Sequence, residues 1–246
     1  MSDAWLSDVL LSPDDDGPRV AWMNAHRASD PLRARFVEIG LVIAEFRRRG
    51  READAALRGE AGRLATVHGP AWAGPAASLK IYEFRRGFVE TVYAKPRDIL
   101  TQGDRIWRAQ PILDLHLVDT ADRLAELLRW PGLHQLRSLH LRGLGLGDRD
   151  AIALGASPLL ANLRAIDLAN NHIGPDGFYA IADGLRALRW ASFSNNRVVD
   201  PLEQLLEAPE AGLSDVGRVA LDRFGPLPWL SSPVFGPYNQ PFPEQL

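Results

Sequence analysis

LRAIDLANNHIG, residues 163–174, holds a pattern that a strand alone leaves unexplained. Ile166 and Leu168 alternate as in a half-buried strand, because every second side chain faces the same side. Leu163, Asn171 and Ile173 fall outside that alternation. The same arrangement returns along the chain. LRSLHLRGLGL puts Leu136, Leu139 and Leu141 in the matching places, and LRWASFSNNRV puts Leu188, Ala191 and Phe193 there. Upstream, ILDLHLVDT supplies Ile112, Leu115 and Leu117 with a degenerate second half. The first residues of these four units lie 24, 27 and 25 residues apart. Asn171 and Asn196 both occupy the ninth place, and Ile173 and Val198 the eleventh. Such a period marks stacked units, each too small to bury its apolar face alone.

These residues resemble the leucine-rich repeat, whose unit reads L-x-x-L-x-L-x-x-N-x-L. Places one, four and six are expected to point inward, and the strand formed around them to line a parallel sheet. A ninth-place asparagine suits the turn away from the sheet, because its amide both donates to and accepts from backbone groups. After Asn171, IGPDGFYAIADGL reads as turn then helix. Pro175 fits an early helical position, and Phe178, Ile181 and Leu185 recur at helical spacing. LGDRDAIALGASPLL reads the same way one unit earlier. Helical returns resemble the ribonuclease-inhibitor subclass, with strands on the concave side and helices on the convex side. The expected fold class is therefore α/β: a short leucine-rich-repeat solenoid capped by an amino-terminal helical domain. FRRGFVETVYA (84–94), alternating Phe88, Glu90 and Val92 against Val89, Thr91 and Tyr93, is expected to start the sheet. With strands at 112–118, 137–142, 164–168 and 189–193 that makes about five. So short a stack needs closed ends.

Residues 1–68 read as helices. Ser12-Pro13-Asp14 is expected to start one and Asp30-Pro31 another, running through RARFVEIGLVIAEFRRR to a stop at Gly50. Arg47, Arg48 and Arg49 then fall in its last turn, where positive charge is favoured; this account is preferred over a nucleic-acid contact. READAALRGEAGRLATV is expected to be a further helix ending near His68-Gly69-Pro70. LSPDDDGPRV, RARFVEI (33–39), HGPAWAGP (68–75) and EFRRGFVETV (83–92) together resemble a bacterial "repeat-companion" domain that precedes leucine-rich repeats; FRRGFVE is the most specific piece. The chain departs from that pattern at Trp22, Met23, Asn24 and Ala25, where relatives carry tyrosine-alanine-aspartate-tryptophan, and at Arg35, where they carry an acid. The resemblance implies an architecture and no activity.

Composition narrows the function classes. A formal charge of −3 over 246 residues lacks the basic excess of a nucleic-acid binder. The absence of cysteine excludes disulfides, cysteine-based zinc sites and thiol catalysis. The residues after Met1 are acidic, without the basic start of a secretory signal, and no apolar run approaches the ~20 residues that span a bilayer. A cytoplasmic protein with no nucleic-acid or membrane partner is expected. GLGLGD (143–148) lacks the lysine-serine/threonine ending of a phosphate loop and reads as a turn between units. No HEXXH-like or paired Cys/His spacing occurs, and no cofactor is expected.

Register then points to a surface. Fifth places of successive units lie about 5 Å apart across parallel strands, and that column reads His116, His140, Asp167, Ser192. The third column reads Asp114, Ser138, Ala165, Trp190, and the seventh Val118, Arg142, Ala169, Ser194; all are expected to face the concave side. Two histidines beside an aspartate invite a metal reading, although a straight column spaces ligands in a line rather than around a point. A hydrolase fails on distance: Ser192 would lie roughly 10 Å from His140 with Asp167 between them, whereas a base must touch its nucleophile. The favoured expectation is non-catalytic: a scaffold or adaptor binding a protein through His116, His140, Arg142, Asp167, Trp190 and Ser192, with tryptophan and arginine as anchors. The alternatives are a metal-binding or enzymatic role for the His116/His140/Asp167 strip, and a structural subunit of a larger bacterial assembly.

The ending, PLPWLSSPVFGPYNQPFPEQL, interleaves six prolines with Trp229, Phe235, Tyr238 and Phe242. Proline forbids helix and interior strand there, and exposed aromatics are costly, so a strap over the last unit is preferred to a free ligand segment. It is expected to set Trp229 and Phe235 against a helix near Leu202, Leu205 and Leu206. The domain reading is a companion cap over 1–75, the repeats over 76–225 and the strap over 226–246.

Overall fold

The computed structural model describes residues 4–119, 123–198 and 215–230. Phe235, Tyr238, Phe242, Leu202, Leu205 and Leu206 lie outside the described residues. The fold is α/β, with six strands joined in sequence order, β1-β2-β3-β4-β5-β6, in a mostly parallel sheet. Two compact units divide the chain: one takes residues up to 94 together with 101–114, the other 95–100 and 115 onward, the division falling inside the continuous strand β3 (Asp114–Leu117).

The first unit contains α1 (Ala4–Leu11), α2 (Gly17–His26), α3 (Pro31–Arg48), α4 (Ala55–Ala73), β1 (Ile81–Arg85) and β2 (Phe88–Ala94). Asp30 caps α3 by accepting from the Arg33 amide at 3.1 Å, and Asp54 caps α4 by accepting from Ala56 at 2.8 Å. Ser12-Pro13-Asp14 does not start a helix; it links α1 to α2, which begins at Gly17, whose amide donates to the Asp15 carboxylate. Helix α4 likewise runs through Pro70 to Ala73 instead of stopping before it. The extra turn sets Trp72 against Phe36, ring centroids 5.0 Å apart.

FRRGFVETVYA is not one strand. Arg86 and Gly87 both have positive φ, 49° and 86°, and turn the chain between antiparallel β1 and β2. Two left-handed residues in succession match the twist of a tight hairpin. A Cβ on Gly87 would meet Val37, and one on Gly40 would meet the Gly87 amide 2.6 Å away, so α3 packs directly onto the hairpin backbone. Met23, Ala34, Val37 and Phe88 form a core there, with Trp5, Trp22 and Leu41 packed against it.

After α5 (Pro96–Trp107) and β3, the chain continues through α6 (Leu124–Leu127), β4 (Ser138–His140), α7 (Asp148–Gly155), β5 (Ala165–Asp167), α8 (Pro175–Gly184), β6 (Trp190–Ser192) and α9 (Asp215–Phe224). Strands β4, β5 and β6 are parallel and in register. The first, fourth and sixth places of all four units are buried, as are Leu146, Ile173 and Val198 at the eleventh. The eighth places, Asp119, Gly143, Asn170 and Asn195, share a left-handed φ of 68°, 69°, 58° and 56°. These are residue types that tolerate that conformation. Helices α7 and α8 approach closely because Gly155 and Gly184 carry no side chain; a Cβ on either would clash with backbone of the other helix.

Candidate functional site

Short strands position the candidate row by backbone pairing. His140 pairs in register with Asp167, and Asp167 with Ser192. His116 extends the row, its ring stacked on His140 with centroids 3.7 Å apart and planes 5° from parallel. The four fifth-place residues therefore stand side by side on adjacent strands. In the neighbouring column Ser138 pairs with Ala165 and Ala165 with Trp190.

The row is not uniformly open. His116, Asp167, Trp190 and Ser192 are half-buried and Arg142 is exposed, whereas His140 is only 8% exposed. Asp114, Ser138, Ala165 and Ala169 are buried as well, so the three columns expected on the concave side are only partly accessible. Ala165, whose side chain is short, sits in register between Ser138 and the far larger Trp190.

Turn residues behind the row are tied to backbone. Asp167 Oδ1 accepts from the Ala169 amide at 2.9 Å. The Asn170 side-chain amide lies 2.6 Å from Asn195 Nδ2 and 3.1 Å from Arg142 Nε, so its oxygen accepts from one or the other according to how it is turned. Asn171 Oδ1 accepts from Leu144 and Leu146 at 3.0 Å, and its Nδ2 donates to the carbonyls of Leu141 and Leu168 at 2.9 Å and Ala169 at 3.3 Å. Asn196 does the same one unit on, accepting from Ile173 and donating to Leu168 and Phe193. Each ninth-place asparagine thus fastens its own turn to the preceding one. Asp148 adds a tie, accepting from the Gly174 and Gly177 amides at 2.7 and 2.9 Å at the start of α8. The left-handed eighth column and the Asp148 cap were overlooked in the sequence. The run Asp, Gly, Asn, Asn at the eighth place was the signal for the first.

Chemically the row offers little for hydrolysis. Asp167 stands between His140 and Ser192 in the register, and Ser192 Oγ donates toward Ser194 Oγ at 3.4 Å. For a metal, Asp114, His116 and His140 each place one ligand atom within 4.8 Å of the others. The stacking opposes that use. An imidazole lone pair lies in the ring plane, and two parallel rings 3.7 Å apart direct theirs side by side, so one tetrahedral ion cannot meet both without a ring turning.

The described part of the tail packs on α8 and on the stretch just after β6. Trp229 is buried, its ring 5.4 Å from Phe178 and 5.8 Å from Phe193, with Leu227 and Leu230 buried beside it in the chain. Compared with known proteins, the chain matches no family model, no curated protein and no solved structure. No described helix is long and apolar enough to cross a membrane.

Proposed function

We propose that the chain is a leucine-rich repeat protein of the ribonuclease-inhibitor type with an amino-terminal companion domain, and that it works as a non-catalytic scaffold or adaptor. The observation that carries this reading is the ordered row: His140, Asp167 and Ser192 in strict register, with Trp190 half-exposed in the next column and Arg142 exposed at the turn. Parallel strands fastened by buried asparagine amides give a rigid surface, and a rigid surface loses little conformational freedom on binding. Tryptophan and arginine are the side chains most often found as energetic anchors of protein contacts. A polar row without a base touching a nucleophile suits recognition better than turnover.

On this reading the partner is another protein, gripped by His116, His140, Arg142, Asp167, Trp190 and Ser192 on the concave side. A chain without cysteine also suits a reducing cytoplasm. The test is affinity capture from the native cytoplasm with the full chain, Trp190→Asp and Arg142→Glu as bait. Partners recovered by the parent chain are expected to be lost with both variants. Recovery of the same partners by both variants would remove the row as the binding surface.

A further inference from the structure

Arg33, on the first turn of α3, is only 5% exposed, and its guanidinium carbon lies 5.0–6.0 Å from five aromatic ring centroids. The rings are Trp22 of α2, Phe36 of α3, Trp72 of α4, Phe84 of β1 and Phe88 of β2. Four stretches far apart in the chain therefore converge on one cation. The π faces repay part of its desolvation. They cannot accept its N–H groups as oxygen does, and Nη1 has no hydrogen-bond partner among the described residues. Leaving the buried donors of Nη1 unmatched is costly. Asp30, the carboxylate whose charge acts on the group, caps the helix by accepting from the Arg33 backbone amide, and no hydrogen bond joins it to Nη1. Burial lowers the Arg33 pKa to about 10, with Asp30 pulling the other way, so the group remains cationic at neutral pH.

The contrast within the same unit is direct. Arg19, also fully buried, has every side-chain nitrogen engaged: Nε and Nη2 with Glu90 at 3.0 and 2.7 Å, and Nη1 with the carbonyls of Pro13 and Asp15. Where this fold uses a buried arginine as structure, it supplies acceptors. At Arg33 it supplies rings instead. Two of those rings, Trp22 and Trp72, are half-buried, and each has a histidine stacked on it, His26 at 4.1 Å and His68 at 5.1 Å.

We propose that Arg33 is the recognition group of an anion-binding site walled by Trp22 and Trp72, and that its ligand is a monocarboxylate with a flat apolar body. The guanidinium fork matches a carboxylate with two parallel hydrogen bonds, and the aromatic walls match a flat apolar group. Asp30 already offsets part of the Arg33 charge, so a ligand with one negative charge suits the locality better than a phosphate dianion. The ligand enters by parting the two tryptophans, so binding changes their emission.

The test titrates the full chain with sodium benzoate, and separately with inorganic phosphate, following tryptophan fluorescence and binding heat. Saturable benzoate binding is expected in the parent chain, at least about tenfold weaker in Arg33→Lys, whose ammonium lacks the fork, and absent in Arg33→Met. Arg33→Met is also expected to melt at or above the parent temperature, because a methionine of similar length places no unmatched donors among the rings. Lack of saturable benzoate binding by the parent chain would overturn the proposal, as would equal affinity in Arg33→Lys. Phosphate binding without benzoate binding would overturn the ligand class. A lower melting temperature for Arg33→Met would make Arg33 a structural clamp.

Discussion

His116 and His140, separated by 24 residues in sequence, lie face to face with planes 5° from parallel. That arrangement directs the in-plane lone pairs of the two rings side by side, so a shared metal ion could not meet both without a ring turning.

The protein purified from a metal-containing medium is accordingly expected to carry less than a stoichiometric amount of zinc by elemental analysis. Treatment with a chelator should leave its melting temperature unchanged. Stoichiometric zinc that disappears in His140→Ala would replace the scaffold reading with a metal site at the same residues.

Asn171 is expected to matter more to stability than any exposed residue of the row. Its side chain makes five hydrogen bonds to backbone of two successive turns. Asn171→Ala leaves buried amides and carbonyls unmatched, at a cost of about 3 kcal/mol. Calorimetry should show a fall of roughly 6–12 °C for a chain of this size. Asn171→Asp keeps an acceptor for Leu144 and Leu146 but loses the donor and brings charge into a buried place, so it should not rescue. A melt within about 2 °C of the parent would show that the asparagine does not fasten the units.

Glu90 holds a buried charge cluster together. It pairs with Arg19 and Arg86, each at 2.7 Å, and Arg86 reaches on to Asp16, which also pairs with Arg48. Burial pulls the Arg19 pKa below its ordinary value against the attraction of Glu90; for Arg86 the attraction of Glu90 and Asp16 outweighs burial and raises it. Glu90→Gln leaves the buried Arg19 without its counter-charge and should cost about 3–5 kcal/mol in denaturant unfolding. Adding Arg19→Met to Glu90→Gln should cost less than the sum of the two single changes. Additive losses would mean that the pair is not coupled.

The buried places and the strand register were legible in the sequence because each answers one physical demand. Apolar residues at places one, four and six have to be buried, and Asn171 has a turn to fasten, so spacing alone locates them. The strand order and the neighbours of His140 follow from the same spacing. Its burial does not, because burial depends on side chains from other strands. FRRGFVETVYA looked like one strand because Arg86, a bulky residue, takes a left-handed conformation usually left to glycine or asparagine, and the turn carries no stronger mark than Gly87. Helix α4 ran past Pro70 because the packing of Trp72 on Phe36 rewards the additional turn. Arg33 was invisible in one dimension: an arginine early in an amphipathic helix looks like surface, and only tertiary structure brings rings from four other elements around it.

Site-specific photo-crosslinking tests the central claim most directly. A photoreactive phenylalanine analogue at Ser192, on the row, is compared with one at the exposed Arg149 of α7. The account predicts a discrete crosslinked protein from position 192 that is lost when Trp190→Asp is added, and none from position 149. A partner captured from position 149 and not from 192 would contradict it.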